Sequence, residues 1–174
     1  MAKQFVGFVS LGSTLVGTIV TRNTSDTPLD AAALPTFRVY GPTPALMTNG
    51  TGTTAKLNTG TITGATNAAP IVITSTAHGL NTGTRVVVAN VGGNTAANAS
   101  FTITNVSANT FSLDGSTGNG AYTSGGDWHV DGLYSFSVAA TAANGYAAGS
   151  AYSILFSYTV SGTAMADHVT FIVV

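Results

Sequence analysis

Apolar and polar residues alternate along most of this chain with a period of two, the spacing that places one face of a β-strand inward and the other outward. The alternation is densest near the end. Tyr152-Ser153-Ile154-Leu155-Phe156-Ser157-Tyr158-Thr159-Val160 and Val169-Thr170-Phe171-Ile172-Val173-Val174 are separated by a polar break opening at Ser161-Gly162. Aromatic and β-branched residues suit a pleated, half-buried surface, so these runs predict paired strands forming the central rib of a sandwich. Earlier strands are predicted over 4–9 and 14–20, with Leu11-Gly12-Ser13 as the turn between them, and over 36–40. Asp30-Ala31-Ala32-Ala33-Leu34 suggests one helical turn ended by Pro35. Residues 45–60 are mostly small and polar, with a weak strand near 55–57.

From about residue 65 the pattern changes to short strands bounded by turn residues: 70–74, 84–89, 100–106 and 109–113. A Gly/Ser/Thr/Asn loop then runs from Asp114 to Gly126, and Trp128 ends the stretch. From Gly132 the first pattern returns, with a strand over 133–138. The expected fold is all-β: a discontinuous sandwich of 1–64 plus 129–174, with a small β-barrel module of 65–128 inserted in a loop. Loop tips accept such insertions. Tyr134 and Tyr152 open apolar strands, where a hydroxyl reaches back to a neighbouring turn in a tyrosine corner.

Composition narrows the chemistry. Only 6% of the 174 residues are charged, against about 25% in an average globular domain, while 44% are apolar. Glutamate and cysteine are absent, and the net charge is -1. Such a surface repels copies of itself weakly and suits an assembly. It gives no electrostatic reason to bind nucleic acid or an anionic membrane. Without cysteine there is no disulfide, thiolate metal site or thiol nucleophile. The first residues lack the apolar core of a signal peptide, and no run approaches a membrane-spanning length.

The candidate chemistry is sparse. His78, His129 and His168 lie in different segments without paired ligand spacing. His78, in a glycine-flanked turn, is expected to make a structural hydrogen bond. Asp127, His129 and Asp131 alternate and would share one strand face, either as a weak metal or sugar-contact cluster or as a solvated junction. Asp114 to Gly120 is rich in oxygen donors but lacks the EF-hand order, leaving calcium against a tight Asp/Gly/Asn turn. There is no GxSxG elbow and no GK[ST]. The chain is therefore expected to be non-enzymatic and to need no cofactor or metal. Tyr122, Trp128, Phe5, Phe37 and Tyr146 are the candidate interface or glycan-contact residues, with Phe8 and Tyr40 as further core or interface aromatics.

Two resemblances extend this reading. Ile73 to Gly83, Val91 to Asn98, Phe111 to Gly120 and Ala121 to Trp128 resemble a repeat of bacteriophage virion proteins. That repeat is similar to the small β-barrel of the first catalytic-cysteine half-domain of ubiquitin-activating enzymes. With no cysteine here, nothing of ubiquitin activation carries over. The flanks resemble Ig-like phage structural domains, through Leu34-Pro35-Thr36-Phe37-Arg38-Val39-Tyr40, Asp131-Gly132-Leu133-Tyr134 and Ala140 to Tyr152. The resemblances imply a virion protein assembled in a bacterial host cytoplasm. The favoured role is capsid decoration, or cement, contacting the major capsid protein or other virion proteins and copies of itself. The alternative is a tail, baseplate or fibre module binding a host surface glycan.

Overall fold

Fifteen strands, two short 3-10 turns and no α-helix make up the computed structural model, which describes the backbone of residues 4–174 and the side chains of residues 6–174. The fold is all-β. In chain order the strands are β1 (Gln4–Val9), β2 (Thr14–Val20), β3 (Thr36–Tyr40), β4 (Leu46–Thr53), β5 (Ala55–Lys56), β6 (Thr59–Thr61) and β7 (Gly64–Ala65). Then follow β8 (Ile71–Thr74), β9 (Arg85–Ala89), β10 (Ser100–Ser107), β11 (Thr110–Leu113), β12 (Asp127–Val130), β13 (Leu133–Ala139), β14 (Ala151–Val160) and β15 (Thr163–Val173). They fall into two compact units, Met1–Lys56 with Gly132–Val174, and Leu57–Asp131.

The first unit packs a five-stranded sheet, β1-β15-β14-β3-β4, on a three-stranded one, β2-β13-β5. The orders β15-β14-β3-β4 and β2-β13-β5 reproduce the G-F-C-C′ and B-E-D sheets of an immunoglobulin-type sandwich. β14 is the middle strand of its sheet, as the C-terminal pattern suggests. Its hairpin partner β15 begins well before Val169, because Ser161 (φ 50°) and Gly162 (φ 79°) supply the two positive φ angles of a tight type I′ turn. β1 and β2 do not form a hairpin. The turn at 11–13 carries the chain from one sheet to the other, and β1 lies parallel to β15.

Inward positions of both sheets build one core. Phe37 and Phe156 from one sheet meet Phe136 from the other, with ring centroids 6.1 and 4.9 Å away. Gly17 is required beneath this cluster, since a Cβ there would stand 2.6 Å from the Phe136 ring. Burying each such side chain contributes roughly 1.5–3 kcal/mol.

The helical turn expected at Asp30–Leu34 does not form. Its backbone donors are taken by tertiary partners: Ala31 N–H by Tyr134 Oη (3.0 Å) and Ala32 N–H by the Thr159 carbonyl (2.8 Å). Asp30 is fixed in turn, accepting from Gly132 N–H (2.9 Å), Tyr134 Oη (3.2 Å) and Lys56 Nζ (2.7 Å). Residues 46–53, too small and polar to read as a strand, form β4 because β3 offers a ladder that needs no apolar side chains. Tyr152 makes a tyrosine corner, accepting from Ala147 N–H at 2.8 Å.

The second unit is a seven-stranded sheet, β6-β12-β9-β10-β11-β8-β7. Its end strands β6 and β7 are consecutive and separated only by Ile62 and Thr63, so the sheet bends until one short segment supplies both ends. β10 similarly pairs β9 with its first residues and β11 with its last. Ile71, Ile73, Val86, Val88, Ile103, Phe111, Leu113 and Trp128 fill the interior. Residues 57–64 belong to this unit rather than the sandwich, since β6 pairs β12 and β7 pairs β8. Residues 129–131 also belong to it: β12 continues past Trp128, and Asp131 N–H donates to the Arg85 carbonyl. Val106 falls where the β10–β11 register shifts between Asn105 and Ser107, and it is exposed.

Candidate functional surface

Burial decides which predicted contact residues can meet a partner. Phe37 and Tyr146 are buried in the sandwich core and Trp128 in the second unit, so these three are core residues rather than contact residues. Trp128 Nε1 donates to Ser75 Oγ at 2.7 Å, and its ring stands edge-on to Phe111. The indole covers Gly60, where a Cβ would lie 2.6 Å from it. Tyr122 stays half-exposed, its hydroxyl held by the Gly125 carbonyl at 3.0 Å. The Phe5 side chain lies outside the described residues. Phe8 is 65% exposed and Tyr40 half-buried.

The polar candidates resolve into structural roles. His78 Nδ1 accepts from Leu80 N–H (3.0 Å), so the hydrogen-bond network assigns the proton to Nε2, which donates to the Ser107 carbonyl at 2.8 Å. The Asp127/His129/Asp131 cluster is not assembled. Asp127 is exposed and accepts from Asn90, His129 is buried, and buried Asp131 pairs with Arg85 Nε at 2.7 Å. β12 stops at Val130, so Asp131 leaves the alternation. Asp114 accepts from Thr104 and Ser112 hydroxyls beside Gly115 (φ 74°), the geometry of a tight turn. Among the described residues no three His, Asp or Glu side chains converge as a metal site, and no helix is long and apolar enough to cross a membrane.

The surface that the registers do assemble is the outer face of the five-stranded sheet. One row runs Phe8, Ile172, Ala151; the next Thr170, Ser153, Tyr40, Leu46; the next His168, Leu155, Arg38, Thr51; the last Ala166, Ser157, Thr36, Thr53. Hydroxyls, methyls and apolar side chains share this face, and Arg38 and His168 are its basic side chains among the described residues. Alternation alone aimed Arg38 outward between Phe37 and Val39. What sequence reasoning missed was the lateral order of strands that puts Arg38 beside Leu155 and His168.

Beneath the face, the buried hydroxyls are held protonated. Burial pushes Tyr134 up to about 12, with Asp30 adding to the shift, and burial with the neighbouring Tyr152 pushes Tyr146 up to about 12. Burial raises Tyr158 further, reinforced by its hydrogen bond to Asp167 (2.6 Å). An apolar groove of about 630 Å³ opens at the end of the β14–β15 hairpin, lined in part by Leu34, Tyr158 and Met165. A more polar cleft of about 360 Å³ lies between β2 and β15, beside Arg22, Asp167 and His168. Comparison with protein-family models and with curated proteins gives no match.

Proposed function

We propose that the chain is a non-enzymatic structural protein of a bacteriophage particle, serving as a decoration protein that reinforces the capsid shell. The outer face of the five-stranded sheet carries this reading. It is a broad β-surface of Thr, Ser, small and apolar side chains with little charge to desolvate, which suits extended contact with a neighbouring subunit. Burial of such surface across subunit boundaries stabilises the bound state by mass action and raises the cost of rupture. The residue resemblances to phage virion modules point the same way.

The glycan-binding alternative loses its main anchor, because a buried indole offers no stacking face to a sugar. Among the described residues Tyr122 keeps a half-exposed ring and Phe8 is exposed. Particles lacking the protein are expected to lose tolerance to heat and to rapid salt dilution. A reconstruction of intact particles should show the protein as a lattice over the head. Unchanged tolerance, or density confined to the tail, would overturn the decoration role.

A further inference from the structure

The outer edge of β2 carries a row of backbone groups that are unpaired among the described residues. β2 is the last strand of its sheet, and among the described residues nothing pairs with its far side. Its ladder to β13 fixes which backbone groups are free. Thr21 N–H donates to the Gly132 carbonyl, and Ala140 N–H donates to the Ser13 carbonyl, so the odd-numbered residues bond to β13. Thr14, Val16, Thr18 and Val20 therefore direct both N–H and C=O outward. The open cleft of about 360 Å³ runs along Thr18–Val20.

Sheet edges are normally protected by a charge, a proline or a bulge. The sequence Thr14-Leu15-Val16-Gly17-Thr18-Ile19-Val20 has no charge and no proline, and its register with β13 is unbroken. Val16, on its solvent face, is 70% exposed.

We infer that this edge pairs with the same edge of a second copy, antiparallel, about a two-fold axis at Gly17. The strand is self-complementary in that register. Val16 falls opposite Thr18 and Thr14 opposite Val20, so the residues with free backbone groups meet one another. Leu15 falls opposite Ile19, extending the buried side of one sheet into that of the other. On the solvent side the two Val16 side chains become diagonal neighbours across the axis. The three-stranded sheet becomes a continuous six-stranded one, an isologous contact with no like charges brought together. This goes beyond the shell reading and does not depend on it.

Sedimentation of the purified full chain over a concentration series should show its mass doubling. Val16→Lys, which places like charges across the axis without touching the core, should abolish the doubling, while Thr51→Lys on the other sheet should preserve it. Amide exchange at Val16 and Thr18 should slow as wild-type concentration rises. A chain that stays monomeric at the highest concentration would overturn the inference, as would a dimer indifferent to Val16→Lys or lost in Thr51→Lys. If Val16→Lys fails to fold, wild-type exchange decides: rates at Val16 and Thr18 unchanged by concentration place any dimer elsewhere and sink the proposal. Because no particles are involved, a failed particle assay leaves this inference standing, and a monomeric chain leaves the shell reading standing.

Discussion

Tyr146 and Tyr152 share one core, their ring centroids 4.7 Å apart, yet their hydroxyls have opposite fates. Tyr152 Oη accepts from Ala147 N–H at 2.8 Å, whereas buried Tyr146 Oη has no hydrogen-bond partner among the described residues. A satisfied hydrogen bond stabilises by about 1 kcal/mol, while a buried unsatisfied hydroxyl costs about 1–3 kcal/mol. Tyr152→Phe should therefore lower the stability of the sandwich by about 1 kcal/mol. Tyr146→Phe should leave it unchanged or raise it. Calorimetric melting of both variants checks this; equal losses would mean that the two hydroxyls are equivalent.

Alkaline stability follows from the same buried hydroxyls. Tyr134 and Tyr146 ionise near 12 in the folded chain, against an ordinary value of 10. Between those values the unfolded chain has already released protons that the folded chain keeps, so their contribution is complete below pH 10 and falls as pH rises toward 12. Tyr158, raised in the same direction, extends the loss. Denaturant titrations at increasing pH should show stability declining across this window, with a shallower decline in Tyr146→Phe. A flat profile from pH 10 to pH 12 would contradict the burial argument.

Each unit has its two chain ends side by side, and this predicts that the second can be removed. In the sandwich, Lys56 pairs with Tyr134 across antiparallel strands, and Asp30 holds both Lys56 and Gly132. In the second unit, Thr59 pairs with His129, and Val130 N–H donates to the Asn58 carbonyl at 3.1 Å. Replacing Leu57–Asp131 by Gly-Asn should leave a sandwich that unfolds cooperatively, because a short hairpin loop then joins Lys56 to Gly132. The excised unit should fold alone, and Trp128, the chain's single tryptophan, should report it by blue-shifted emission. A sandwich without dispersed amide resonances, or solvent-exposed Trp128 in the fragment, would show that neither end pairing is self-sufficient.

The sequence by itself determined that the chain is built of strands and where most of them run, since period-two alternation and Gly/Asn/Ser turns are local properties of the chain. It also determined the chemistry available: with six aspartates, no glutamate and no cysteine, few arrangements of reactive groups exist to be found. Some roles were legible from local context, such as the structural bond of His78 in its glycine-flanked turn and the tyrosine corner of Tyr152. Only the tertiary structure decided which aromatic residues face inward. Phe8 and Phe37 look alike in sequence, yet one is exposed and the other buried, because Phe8 lies on the outer face of its sheet, beside buried Val9, while Phe37 faces the opposing sheet. The same holds for β4, whose residues carry no strand signal and are ordered by the ladder that β3 presents. Pairing partners, free edges and shared faces depend on residues far apart in the chain, and only their packing brings them together.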